Sequence, residues 1–312
     1  MAATQTDILD ALLNFRLGYI GDRWNFSLAL GDNRSDPGGI GEGVALSLSF
    51  PATLPAYDAG LSGFTPLTTE QANAARSVFA YYASLTKLTF TETSQLGEAN
   101  IAFIQHAISS PGVAGYANSP GLGYGFNGLG TIVSVFEVSA QDPGSYSRGD
   151  VYIDAGYAAG DYAPGGSGYL LMLHEIGHAM GLSHPFDGAV VLDADENHKG
   201  FTVMAYNEAP HSLTVAVTGN ASSYSFALEN IQPRTLMLGD ILALQYAYGS
   251  NFATNSGDTT YTWIPGEKFF ATLWDGARID TINASNQVLR SIIDLNPGSY
   301  SSIGLRTSHA EL

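Results

Sequence analysis

The stretch His174-Glu175-Ile176-Gly177-His178-Ala179-Met180-Gly181-Leu182-Ser183-His184-Pro185 gathers three imidazoles and one carboxylate into a short run. Positions four apart share a helix face, so His174 and His178 point at one ion, at Zn–N distances of about 2.0–2.1 Å. Glu175 follows the first imidazole directly, which turns its carboxylate toward a water on that ion instead of toward the ion itself. Gly181 supplies the left-handed residue that ends a helix. The chain then turns and returns His184 as a third ligand. Three protein ligands leave a coordination position open, the arrangement of a catalytic zinc site and not of a closed structural one. Zinc lowers the pKa of bound water to about 7 and polarises a carbonyl. Glu175 takes the proton of the attacking water and passes it to a leaving amine. The chemistry these residues spell is hydrolysis of a peptide bond. A helix that merely carries surface histidines does not require a glycine and a third histidine at these offsets.

The elements that position this run can be read from periodicity. Tyr169–Met180 reads as a helix, entered through Pro164-Gly165-Gly166-Ser167 and closed by Gly181. Thr68 and Gln71 are spaced as a capping box opening a second helix, in which Ala75, Val78, Phe79, Tyr82 and Leu85 fall on one face. A third helix spans Leu238–Tyr248 and stops at Gly249. Gly43–Phe50, Leu88–Glu92, Asn100–Gln105, Val113–Ala117, Thr131–Val138 and Asp150–Asp154 read as strands, with 118–130 a glycine-rich loop. Strands and helices interleave, which predicts an α/β or α+β domain. Residues 251–312 turn rich in Gly, Asn, Asp, Thr and Ser, so the division expected is a main domain over 1–250 and a small β-rich domain over 251–312.

Composition narrows the partners. The formal net charge of −17 repels nucleic acid and anionic lipid, leaving a protein or peptide as the expected partner of a monomer. Cysteine is absent, which excludes disulfides, thiolate metal sites and a cysteine nucleophile. The N-terminus lacks a basic region followed by an apolar stretch, so no cleavable signal peptide is expected. No apolar run approaches ~18 residues, and no membrane span is expected.

The long histidine motif resembles that of the metzincin metallopeptidases, and within them the chain is similar to the serralysins: Pro185 follows the third histidine, and Thr202-Val203-Met204-Ala205-Tyr206 resembles their Met-turn. The resemblance implies an α+β metzincin catalytic domain with a twisted, mostly parallel five-stranded sheet plus helices, followed by a short β-rich C-terminal segment. It places Met204 beneath the zinc. It makes Tyr206 a fifth zinc ligand that leaves as substrate binds and then hydrogen-bonds the oxyanion. Val113, Ala114, Gly115, Tyr116 and Ala117 resemble the edge strand on which substrate lies as an added strand. Asn255, Gly257, Thr259, Asp275 and Asp280 stand where serralysins bind Ca2+, an ion that takes six to eight oxygens. The chain departs from the family at Ala277-Arg278, where serralysins have Gly-Gly, and it reaches Leu312 without glycine-rich nonapeptide repeats. An astacin-like enzyme shares the tyrosine after the Met; Pro185 and the lack of cysteine favour the serralysin likeness. His106, His198, His211 and His309 read as non-ligands, and the sequons at Asn25, Asn33, Asn220 and Asn283 as unmodified. The expected function is that of a secreted zinc-dependent endopeptidase, exported without an N-terminal signal peptide. The reading from another class is a latent or non-catalytic, calcium-dependent binding module.

Overall fold

The computed structural model of the chain describes residues 3–13, 23–25, 39–94, 99–120, 122–126, 132–137, 149–157, 161–210, 212–296 and 298–304. Its centre is a five-stranded sheet. In spatial order the strands are β2 (Thr89–Glu92), β1 (Ala45–Ser49), β3 (Ile101–His106), β7 (Val151–Asp154) and β4 (Gly115–Ala117). The first four run parallel, and β4 pairs antiparallel with β7 at the rim. All six residues of β3 are buried, as expected for a central strand covered on both faces.

Helix α2 (Thr69–Leu85) begins at the expected capping box: the Gln71 N–H donates to Thr68 Oγ1 (3.2 Å), and the Thr68 N–H donates to Gln71 Oε1 (2.8 Å). Its stripe Ala75, Val78, Phe79, Tyr82 and Leu85 is buried. That stripe joins Phe103, Val151 and Ile153 of the sheet, Met172, Leu173 and Ile176 of α3 (Ser167–Ala179), and Leu244 and Tyr248 of α4 (Leu238–Tyr248) in one core. On the opposite face of the sheet Ala102, Ile104 and Tyr152 are covered by Leu54, Leu61 and Phe64.

Four elements, one α-helix and three strands, lie where none was expected. An N-terminal helix, α1 (Gln5–Leu12), is opened by a Thr4–Asp7 capping box and buries Ile8, Leu9, Ala11 and Leu12 in the main core. Part of the expected glycine-rich loop is a strand, β5 (Leu122–Phe126), paired antiparallel with β6 (Ile132–Glu137). Its alternation of Leu122, Tyr124 and Phe126 with glycine has the strand period, and pairing overrides the local glycine penalty. The strands β8 (Leu213–Asn220) and β9 (Ser223–Asn230) form a long hairpin. Beyond α4, the chain holds the two-residue parallel strands β10 (Thr260–Tyr261) and β11 (Thr281–Ile282), bridges and turns. This segment packs onto the main core through Phe270 and Trp274. It is also tied by Arg234 N–H to Phe270 O (2.9 Å) and Tyr300 Oη–H to Gly200 O (3.0 Å). No described helix is long and apolar enough to cross a membrane.

Candidate active site

Helix α3 carries His174, Glu175 and His178 and ends as the sequence spacing requires. Met180 caps it, Gly181 takes φ +93°, and the Leu182 N–H reaches back to Gly177 O (2.9 Å). Gly177 has a second reason to be glycine: a Cβ there would lie 2.6 Å from Met204 Sδ, so the fully buried Met204 packs directly beneath the helix. The loop after Gly181 is fixed from α1, where the Ser183 N–H donates to Leu12 O (2.7 Å). That contact sets the chain one residue before His184.

The hydrogen bonds decide the histidine tautomers. His174 Nδ1 lies 2.8 Å from Val203 O and His178 Nδ1 lies 2.8 Å from Leu182 O. Carbonyls only accept, so both Nδ1 atoms carry hydrogen. His184 Nδ1 donates to Asp187 Oδ2 at 2.7 Å. Burial, then the neighbouring imidazoles, pushes His174 down to about 3 and His178 down to about 4, so both rings are neutral at physiological pH. The Nε2 atoms of His174 and His178 are therefore bare lone pairs, and His184 turns its own Nε2 toward them. His178 Nε2 is 3.1 Å and His174 Nε2 is 3.3 Å from His184 Nε2. Bare lone pairs at that spacing repel one another unless a cation lies among them. Tetrahedral zinc with Zn–N of about 2.0–2.1 Å spaces its nitrogens by about 3.3–3.4 Å, so this donor set fits zinc. Among the described residues it is the one group of three or more His, Asp or Glu side chains so disposed.

Glu175 sits beside this centre with 4% exposure, and its Oε2 is buried with no hydrogen-bond partner among the described residues. Burial raises its carboxyl to about 8. Over it lies β4: a Cβ on Gly115 would come 3.2 Å from Glu175 Oε1 and 2.8 Å from Tyr152 O. Gly115, Tyr116 and Ala117 form β4, while Val113 and Ala114 lead into it, with Ala114 O accepting from the Asp154 N–H (2.9 Å). The rim of β4 away from β7 pairs with no described strand. Tyr206 closes the other side. Its hydroxyl donates to His184 Nε2 (3.0 Å) although the residue is 62% exposed. The open cleft between these groups measures about 710 Å³.

Three contributors were not singled out from sequence. Asp187 orients His184. Phe186 stacks on the same imidazole at 4.9 Å and 7°. Asp240, fully buried in α4, accepts from Thr202 Oγ1–H (2.5 Å), Val203 N–H (2.9 Å) and Met237 N–H (2.8 Å). It thus holds the turn whose Val203 carbonyl fixes His174; burial raises its carboxyl to about 6. The i,i+3 spacing of His184 and Asp187 was a usable signal. Asp240 gave none, since an aspartate in a first helical turn reads as a cap.

The loop residues singled out for calcium also come together. Thr259 N–H donates to Asp280 Oδ1 (2.9 Å), and Thr259 Oγ1 lies 3.4 Å and 3.3 Å from the carbonyls of Asn255 and Gly257. Asp275 Oδ2 accepts from Tyr261 Oη–H (2.7 Å). Arg278 adopts φ +82°, the conformation a glycine takes without strain, so this loop keeps a glycine-like backbone under an arginine. His106 and His198 lie outside the triad, while His211 and His309 fall outside the described residues.

Residues 63–201 match the Peptidase_M10 (Matrixin) family model. Over 268 residues the chain is 26% identical to metallopeptidase AprA of Pseudomonas marginalis, an overlap of 78% of this chain and 50% of that protein. It is 28% identical over 286 residues to metalloprotease AprA of Pseudomonas entomophila (strain L48), covering 84% and 53%. With serralysin of Proteus mirabilis it shares 28% identity over 188 residues, covering 54% and 38%. The chain thus spans about half the length of the first two relatives.

Proposed function

We propose that this chain, a serralysin-like metzincin, is a secreted zinc-dependent endopeptidase acting on extended protein segments. The observation that carries the reading is the convergence of three imidazole Nε2 atoms beside a buried carboxylate whose Oε2 has no hydrogen-bond partner among the described residues, under a strand whose outer edge pairs with no described strand. His174, His178 and His184 hold the zinc, with the Tyr206 phenol as a further donor. Zinc, when bound, supplies polarisation of the scissile carbonyl and acidification of the attacking water. Substrate main chain pairs with the outer edge of β4 across Gly115–Ala117, which sets the scissile carbonyl between Glu175 and Tyr206. Glu175 accepts the proton of the water as it attacks and delivers it to the leaving amine. Burial raises the proton affinity of this carboxyl, which favours its taking the proton from water. The Tyr206 phenol donates to the developing oxyanion. Asn255, Gly257, Thr259, Asp275 and Asp280 hold calcium that braces the tail against the main domain.

The test is cleavage of casein by metal-loaded protein, before and after chelation. Glu175→Gln keeps the side-chain volume and removes the base; the expected result is loss of turnover with stoichiometric zinc retained. Wild-type turnover in that variant would sink the mechanism, and inactive zinc-loaded wild type would favour the binding-module reading.

A further inference from the structure

Tyr206 poses a physical problem. It is 62% exposed, yet its hydroxyl is held 3.0 Å from His184 Nε2. An exposed tyrosine on a turn ordinarily samples several rotamers on the ps–ns timescale. Among the described residues three rings pack against it: His174 (5.8 Å), His184 (4.9 Å) and Phe186 (5.0 Å, tilted 57°). Two of these are metal ligands by the reading above, on which this inference rests. The third is not. Phe186 lies nearly parallel to the His184 imidazole. One flat ring therefore touches both a ligand and the tyrosine. Phe186 is itself 36% exposed, more than an ordinary core aromatic. The aromatic rings it touches are the His184 imidazole and the Tyr206 phenol.

We infer that Phe186 is a positioning residue for Tyr206, a wall that keeps the phenol over the metal-binding nitrogens. Edge-to-face and tilted aromatic pairs are worth enough to change such an equilibrium roughly 2- to 10-fold. Removing the ring shifts Tyr206 toward solvent by that factor and leaves the three imidazoles in place, since their Nδ1 partners are Val203, Leu182 and Asp187.

The readout is independent of catalysis. Copper(II) loaded in place of zinc reports a bound phenolate through phenolate-to-copper charge-transfer absorption. Tyr206→Phe identifies the part of that band due to Tyr206. Phe186→Ala is expected to lower the Tyr206-dependent band, with the ratio of metal-facing to solvent-facing phenol falling roughly 2- to 10-fold, while copper stoichiometry stays at one. Phe186→Tyr, which keeps the ring, restores it; Phe186→Leu, which keeps apolar volume alone, does not. A Tyr206-dependent band unchanged in Phe186→Ala overturns this inference and leaves the enzyme assignment standing. A wild-type spectrum without a Tyr206-dependent band overturns the inference together with the role of Tyr206 as a metal donor.

Discussion

His184 differs from the other two imidazoles in what orients it. His174 and His178 donate to backbone carbonyls fixed by a turn and a helix end, whereas His184 donates to the Asp187 carboxylate, which is largely exposed. A carboxylate partner raises ligand basicity as well as fixing the ring, and loss of such partners typically costs 10- to 100-fold in metal affinity. Asp187→Ala is expected to weaken zinc binding by roughly 10-fold, read by competition with a chromophoric chelator; unchanged affinity would show that the Asp187 carboxylate does not set the His184 ligand. Gly177→Ala tests the floor. The new methyl meets Met204 Sδ, the mobile end of a side chain, so the expected cost is that of modest overpacking, about 1–3 kcal/mol, seen as a lower thermal midpoint. The grouping of the three histidines was legible because its spacing is local: 174, 178 and 184 lie on one helix and the turn after it. The reason for Gly177 was not, because Met204 approaches it from a distant part of the sequence.

At the scale of elements, the edge strand is held from the face opposite the helices. Tyr116 stacks on Tyr152 at 4.5 Å and 12°. His106 Nδ1–H donates to Ala107 O, so its Nε2 accepts from the Tyr116 hydroxyl (3.2 Å), and Tyr152 Oη–H donates to Asp58 Oδ2 (3.0 Å). The strand that would meet substrate is thereby tied at its middle residue to β3, β7 and the segment covering the sheet. Tyr116→Ala removes the stack and should raise KM roughly 2- to 10-fold with a smaller change in kcat, while Tyr116→Phe, which keeps it, stays near wild type. A fall confined to kcat would place the effect at Glu175 instead. Element boundaries were most legible where caps are local: α2 opens at Thr68 and α4 stops at Gly249, as their residues indicate. The β8–β9 hairpin carries its signal in the alternation of Leu213–Val217 and Tyr224–Leu228, which is short and flanked by polar residues. Helix α1 is short, and most of its stability comes from burying one face in a distant core.

Taken as a whole, the molecule buries acids as well as exposing them. Asp150 accepts from Ala102 N–H (2.6 Å) and Tyr57 Oη–H (2.8 Å), which favour its charge, but burial prevails and lifts its carboxyl to about 7. In the unfolded chain the same group titrates near 3.8. Between these values the folded chain holds a proton that the unfolded chain lacks. This contribution to stability is full below the unfolded pKa and is lost as pH rises through about 7. Asp150→Asn stays neutral throughout, so its thermal midpoint should fall less than that of wild type between pH 5 and pH 8; parallel curves would assign the decline to other groups. The net charge of −17 acts at longer range. Cationic polypeptides should be cleaved with a kcat/KM that drops as salt screens the attraction, and neutral peptides should show no such slope. Composition made this electrostatic character legible, but not which acids the fold would remove from water.

The buried Asp240 has a thermodynamic corollary. One carboxylate gathers Thr202, Val203 and Met237, and through Val203 it reaches His174. The same contacts therefore close the core and fix His174, so on the proposed reading ion occupancy and conformational stability are linked quantities. A chelator would then act on this protein as a denaturant, lowering the melting temperature by an amount that grows with the logarithm of the factor by which free zinc is reduced, until it falls below the dissociation constant.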